Sequence, residues 1–157
     1  MPQITIAAME KLAVGAGVAI ALACDWRVLG RDAYLYVPEV KRGLNLQWGA
    51  LPRLITLVGP ARAKRITIMC EKMRADQAFS WGLVDELADT GQAVEKALEM
   101  AEVVLSMSQP TVRMVKEAVN ATANALHGAS AFADADQSQL TASSKFARGA
   151  RESFRRK

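Results

Sequence analysis

Two features of this sequence could take part in chemistry: the turn Gly15-Ala16-Gly17 and the acid Glu39. The turn lies between an apolar run and an alanine-rich segment, as expected where a strand ends and a helix begins. The first N–H groups of a helix have no partner within it, and the helix dipole adds partial positive charge there. The turn would therefore stabilise an oxyanion, with the Ala16 amide as donor. Gly15 and Gly17 are expected to adopt conformations that a β-carbon would oppose.

Glu39 could exchange protons with a molecule bound at that turn. Pro38 fixes the backbone before it and favours a helix start, which would hold the carboxylate in one direction. A carboxylate opposite an oxyanion site can remove and return a proton next to a carbonyl group. Each feature also has a structural explanation, because the glycines would allow close helix packing and Glu39 would complement a helix dipole.

Short strands and tight turns are expected to position these groups. An apolar run at 4–9 predicts a strand that Lys11 ends, and apolar runs at 26–29 and 33–37 flank the polar turn 30–32. The strand at 33–37 would return the chain to the layer that carries the glycine turn. The later sequence predicts a strand at 83–87 and helices at 59–69, 75–81, 92–107, 110–126 and 130–143.

Composition and the scarcity of some residue types exclude several classes of protein. The 157 residues are 51% hydrophobic and 23% charged, as in an ordinary globular domain. The sequence has no apolar run of the about 18 residues that a membrane span needs and no secretory leader, so we expect a cytoplasmic protein without membrane attachment. His127 is the single histidine, which excludes a multi-histidine zinc site. Because it lies late in a helix-like segment, no Ser-His-Asp triad is expected either. Cys24 and Cys70 are expected to be buried free thiols.

The net charge of +4 lies largely near the end of the chain. A basic tail of this kind could bind nucleic acid, or it could be the solvated face of a helix. Because neither interleaved aromatic residues nor a known binding motif accompanies the charges, no nucleic-acid partner is expected. The basic residues concerned are Lys145, Arg148, Arg151, Arg155, Arg156 and Lys157.

Several sequence blocks are modest one by one but specific in their order: 6–8, 14–17, 21–27, 38–44, 51–54, 58–63 and 81–85. With these blocks the chain resembles the enoyl-CoA hydratase/isomerase (crotonase) superfamily over essentially its whole length, matching the C-terminal portion of that family. The resemblance implies an α/β fold of the crotonase-like (ββα) spiral type, with its later part at 1–90. A C-terminal helical region for capping and oligomerisation would follow at 91–157.

The resemblance also assigns roles to residues of the candidate site. Glu39 and the Ala16 amide would be catalytic, and Gly15, Gly17, Gln47 and Trp48 would bind substrate. Gln47 can form hydrogen bonds but cannot act as a base at neutral pH, and Trp48 would line a pocket for an apolar acyl group. A second oxyanion amide and much of the pocket for the CoA nucleotide are expected from a region without a counterpart in this sequence.

One position departs from the family pattern in a way that bears on the reaction. Hydratases of the family carry a first catalytic glutamate where this chain has Ala19. A single acid can remove and return a proton between two carbons of an enolate, whereas hydration must also orient and activate water. The resemblance together with Ala19 therefore favours isomerase-like chemistry over hydration.

The resemblance implies an acyl-CoA thioester as substrate and a homotrimer or hexamer as the assembly. It implies no separate cofactor and no metal, since coenzyme A is part of the substrate. The basic residues near the end of the chain would then approach the CoA phosphates. Two alternatives remain open: a non-catalytic truncated fragment of this fold, and an interaction module that acts through its basic tail.

Overall fold

The computed structural model describes residues 1–131 and 133–155, without the side chains of residues 130, 151 and 153–155. The described residues form two three-stranded sheets. The first sheet is parallel, with β1 Ile6–Met9, β3 Trp26–Gly30 and β6 Glu86–Ala88 in that order. In the second sheet the central strand pairs parallel with one neighbour and antiparallel with the other, in the order β2 Leu12–Val14, β4 Tyr34–Tyr36 and β5 Met73–Arg74.

Lys11 marks the point where the chain passes from one sheet to the other. Its backbone adopts φ 57°, a left-handed conformation, and this confirms that the first strand ends there. That strand begins at Ile6 rather than at residue 4, and the short strand β2 after it was not predicted. Strands β3 and β4 join different sheets instead of pairing as a hairpin. The expected return is confirmed, because β4 lies beside β2, the strand that leads into the glycine turn.

The remaining elements are helices, and most of their predicted positions are confirmed with shifted ends. The predicted helix at 59–69 is the second half of a longer α2 that is kinked at Gly59, where φ is 77°. The predicted helix at 130–143 is divided, and residue 132 within it lies outside the described residues. The bounds are α1 Ala16–Ala23, a 3₁₀ turn Val40–Arg42, α2 Ala50–Ile68, α3 Ala75–Ser80, α4 Ala93–Leu105, α5 Gln109–Ala123, α6 Gly128–Ala131, α7 Asp134–Ala142 and α8 Lys145–Arg155.

The hydrophobic core lies between α1, α2 and the two sheets. It is held at one end by Arg27, which is 3% exposed although charged. The guanidinium group donates hydrogen bonds to the Leu83 carbonyl at 3.0 Å, the Cys24 carbonyl at 2.9 Å and Asp85 Oδ2 at 2.8 Å, so that its charge is compensated. Both cysteines are free, but only Cys70 is buried; Cys24 is half-buried, contrary to expectation.

Helix α4 packs on β1 and β3, which joins the later helices to the sheet that precedes them. The boundary between two regions near residue 90 stays a prediction. No helix in the described part of the chain is long and apolar enough to cross a bilayer. A cytoplasmic location stays a prediction as well.

Candidate active site

The glycine turn leaves the Ala16 backbone amide available to a ligand. Gly15 precedes α1 with φ 54°, and its own N–H is occupied, since it donates to the Tyr36 carbonyl at 2.9 Å. The Gly15 carbonyl accepts a hydrogen bond from the Ala19 amide at 3.0 Å. The Ala16 amide begins the helix and makes no hydrogen bond with the described residues. An anionic oxygen would be stabilised there by this donor and by the helix dipole.

Glu39 reaches the same turn from the end of β4. A β-carbon built on Gly15 would lie 2.5 Å from Glu39 Oε1, so the carboxylate is in direct contact with the turn. The second oxygen, Oε2, is buried and forms no hydrogen bond with the described groups. Burial raises the pKa of Glu39 above its ordinary value of 4.5, although its own backbone N–H and the charge of Arg42 act in the opposite direction. A carboxylate in these surroundings is a stronger base than one in water.

The backbone around Glu39 is fixed by the residues that follow it. Glu39 has helical dihedral angles and caps the 3₁₀ turn Val40–Arg42, and its carbonyl accepts a hydrogen bond from the Leu44 amide at 2.9 Å. These contacts agree with the prediction that a helical turn begins after Pro38. The turn ends at Gly43, whose φ of 70° favours glycine.

The last helix, which belongs to the region expected to cap the site, packs directly on this turn, although the residues in contact were not predicted. A β-carbon at Gly43 would lie 2.9 Å from Phe146 Cδ1 and 3.0 Å from the Ala147 nitrogen. The sequence signal was limited to Gly43 itself, because nothing local indicates which distant segment will cover a glycine. Lys145 and Arg148 on this helix are exposed. Of the other basic residues near the end, the side chains of 151 and 155 and all of 156–157 lie outside the described residues.

Gly17 does not have the conformation that was expected of it. Its φ is not positive, and a β-carbon there would lie 3.7 Å from the Ala13 β-carbon, which is an ordinary contact distance. The prediction that a β-carbon would be opposed is thus correct for Gly15 and wrong for Gly17. The physical reason is that Gly17 already lies inside α1, where any residue adopts helical angles.

Gln47 and Trp48 lie in the loop that follows the 3₁₀ turn. Gln47 donates from Nε2 to Asn45 Oδ1 at 2.6 Å, a contact within its own loop. Trp48 is 66% exposed and lines neither of the described cavities, so its role as an apolar wall of an acyl pocket stays a prediction. Its loop turns outward because Trp48 and Gly49 both adopt left-handed angles, with φ values of 61° and 62°.

The larger of the described cavities lies away from these groups. It measures about 1020 Å³ and is bounded by the C-terminal end of α1, by α2 and by helices α4 and α5. Neither the glycine turn nor Glu39 contributes to its walls. Cavity size and the contact between a carboxylate and an unpaired amide therefore indicate different parts of the molecule, and the second has the geometry that proton transfer needs.

Position 19, where a second catalytic carboxylate would lie, is occupied by alanine. Ala19 lies on α1 and is 6% exposed, so its methyl group is part of the core. The site as described combines the unpaired Ala16 amide with one acid, Glu39. This combination is sufficient to stabilise an enolate and to move a proton to and from carbon.

Comparison with known proteins identifies the family of this chain. The family model described as enoyl-CoA hydratase/isomerase matches residues 1–156. The chain belongs to the enoyl-CoA hydratase/isomerase family. Among its relatives, a crotonyl-CoA hydratase of Syntrophomonas wolfei is 34% identical over 120 residues, which are 76% of this chain and 46% of the relative. A mevalonyl-coenzyme A hydratase of Aspergillus fumigatus is 31% identical over 149 residues, covering 93% of this chain and 55% of the relative.

Solved structures of the family share the fold. An enoyl-CoA hydratase from Mycobacterium avium subsp. paratuberculosis superposes with a TM-score of 0.92 at 24% identity, over 99% of this chain and 63% of the other. The crotonase-like α/β fold is thereby established. The chain spans about half the length of the curated relatives it matches. The match at 1–156 does not support the narrower expectation that the chain corresponds to the C-terminal portion of the family.

Proposed function

We propose that this chain carries the proton-transfer site of an acyl-CoA thioester enzyme. The thioester oxygen would accept a hydrogen bond from the Ala16 amide, and Glu39 would remove the proton from the neighbouring carbon. The observation that carries this proposal is the contact between the Glu39 carboxylate and the glycine turn whose next amide is unpaired. The negative charge of the enolate would form where the helix N-terminus stabilises it best.

We further propose that the reaction is a double-bond isomerisation rather than a hydration. Ala19 leaves Glu39 without the second acid that would share the activation of water. Glu39 alone can return the abstracted proton to a different carbon of the same enolate. The relatives named above are hydratases, so this preference rests on the residue at position 19 of this chain.

The test is exchange of the proton next to the thioester with deuterated water. We expect the purified chain to exchange the α-proton of a short acyl-CoA and to isomerise a 3-enoyl-CoA faster than it hydrates crotonyl-CoA. Glu39→Gln keeps the shape but removes the base, and a loss of about a hundredfold or more in exchange is expected. Glu117→Gln, at an exposed position on α5, is the matched control and should exchange at the parent rate.

Three results would each contradict part of the proposal. Exchange that persists in Glu39→Gln would assign the base to another group. A wild-type chain that gives no exchange above buffer would favour the alternative of a non-catalytic crotonase-like fragment. Hydration of crotonyl-CoA that outpaces isomerisation would reject the isomerase preference alone, because the thioester site itself would then be active.

The assembly and the place of the chain within the family are also proposals. We propose a homotrimer or hexamer, as the family resemblance implies. Exposed apolar side chains on α4 and α5 support association with another polypeptide surface. Correspondence to the later part of the family's length stays a prediction that an alignment of homologues would test.

A further inference from the structure

We infer that Gly15 is a positioning residue, because the space that a side chain would fill at this position is occupied by the Glu39 carboxylate. It was expected to bind substrate through its backbone. Its N–H is instead bound to Tyr36 within the protein. The inference deepens the proposed function, on which it rests for the role of Glu39 as base.

The contact between the two residues is too close for any side chain at position 15. A β-carbon there would lie 2.5 Å from Glu39 Oε1 and 3.5 Å from Glu39 Cδ. Non-bonded carbon and oxygen atoms need more than 3 Å, so the carboxylate would have to move away from the turn. Movement would separate the base from the Ala16 amide, which is the donor that follows directly in sequence.

Gly15 is itself held on both sides, so it cannot yield in place of Glu39. Its N–H donates to the carbonyl of Tyr36 on β4, the strand that leads to Glu39, and its carbonyl accepts from the Ala19 amide of α1. The base and the oxyanion donor therefore belong to two segments that meet at one residue. Gly15 sets the distance between them because it adds no atom at the contact.

A positive φ is a second reason for glycine at position 15, and the two reasons must be separated by experiment. Gly59 and Gly91 serve as controls that share the positive φ, at 77° and 83°, although ψ differs between Gly15 at −109° and Gly59 at 165°. At both positions a β-carbon would meet nothing within 4 Å. Alanine substitution there measures the cost of a positive φ without a steric conflict, and the change of background at Glu39 separates the steric part at Gly15.

The first experiment is a double-mutant cycle on stability in urea. We expect Gly15→Ala to lower the unfolding midpoint by more than either Gly59→Ala or Gly91→Ala does. In a Glu39→Asp background the excess should disappear, because the shorter side chain withdraws its carboxylate from the β-carbon. Failure of Gly15→Ala to fold, with folding restored in the double variant, would support the inference equally. The inference would be overturned if Gly15→Ala lowered the midpoint no more than the control substitutions do. It would also be overturned if the additional loss were the same with Glu39 and with Asp at position 39.

The second experiment follows the Glu39 carboxyl group by NMR in protein labelled with ¹³C at glutamate Cδ. Displacement towards solvent in Gly15→Ala should move the pKa of Glu39 back towards 4.5, the ordinary value. Gly91→Ala should leave the titration unchanged. An unaltered titration in Gly15→Ala would overturn the inference.

Turnover provides a further readout that a structural role alone would not change. The rate constant kcat for α-proton exchange in Gly15→Ala should fall about a hundredfold with KM nearly constant, since a small displacement of a base affects the chemical step. A fall no greater than that of Gly91→Ala would count against the inference. A chain without activity would reject the proposed function. The inference about Gly15 would then be decided by the stability cycle and the titration, because neither needs a substrate.

Discussion

At the scale of single residues, the site combines groups that favour chemistry at the expense of stability. Glu39 is half-buried, has one oxygen without a partner among the described groups, and has a raised pKa because of burial. The pKa of this carboxyl group is higher in the folded than in the unfolded protein. Its contribution to the free energy of unfolding is therefore fully present at pH values below 4.5, its ordinary pKa. That contribution is lost as the pH rises through the folded-state pKa.

The raised pKa of Glu39 leads to a prediction for the stability of Glu39→Gln that needs no substrate. At pH 7 the variant should be more stable than the parent by about 1 kcal/mol, since no charge is buried and part of the effect is screened by solvent. At pH 4 the gain should vanish, because the parent carboxyl group is then largely protonated. Urea unfolding at both pH values checks this, and a gain of equal size at both would contradict it.

At the scale of elements, helix α5 is attached to the first sheet by a polar contact rather than by a buried apolar face. Lys116 Nζ donates to Asp25 Oδ2 at 2.6 Å and to the Gln3 carbonyl at 2.6 Å, while none of the α5 residues is fully buried. Burial acts to raise the pKa of Asp25, but hydrogen bonds from Lys116 and Thr5 outweigh it and leave the pKa below 3.8. The side chains of Lys116 and Asp25 are 10% and 17% exposed, so water replaces this contact poorly.

We therefore expect Lys116→Met to lower the free energy of unfolding at pH 7 by about 1–3 kcal/mol, the cost of leaving a partly buried charge with fewer partners. Because the pKa of Asp25 is lowered by folding, its contribution is present above about pH 4 and is lost as the pH falls through the folded-state value. The difference between variant and parent should thus shrink at pH 2.5. Urea unfolding measures both. Lys96→Met, which removes an exposed pair with Glu99, is the control and should change stability little.

At the scale of the whole molecule, the α4–α5 pair exposes more apolar surface than an isolated chain usually does. Val115 and Val119 are 58% and 59% exposed, and further apolar side chains of the pair are at least as exposed. Surfaces of this kind mark contacts with other polypeptides. The other apolar residues are Val94, Leu98, Val103, Leu105 and Met114.

If association with further copies buries this surface, then Val115→Glu combined with Val119→Glu should reduce the mass measured by sedimentation at micromolar concentration. Stability of the dissociated chain should change little, because neither side chain is part of the core. Thr122→Glu on the same helix is the control for added charge. A parent chain that sediments as a monomer would contradict the predicted assembly.

The local sequence determined the parts of the site that depend on a few adjacent residues. Gly15 and the alanine-rich segment after it determined a helix N-terminus with a free Ala16 amide, because glycine and the start of a helix act within one turn of chain. Pro38 determined the helical turn at Glu39 in the same way. Blocks such as 14–17 and 38–44 were enough to indicate the family, although each block is short.

Only the tertiary structure decided which of these residues meet. Lys11 sends β2 into a second sheet, so that β4 pairs with it and brings Glu39 to Gly15. The same packing left Trp48 exposed and placed α8 on Gly43. Neither outcome has a local signal, because sheet pairing and helix docking depend on apolar surfaces far apart in sequence. A residue's type fixes the chemistry that it can perform, whereas its partners are fixed by the burial of the rest of the chain.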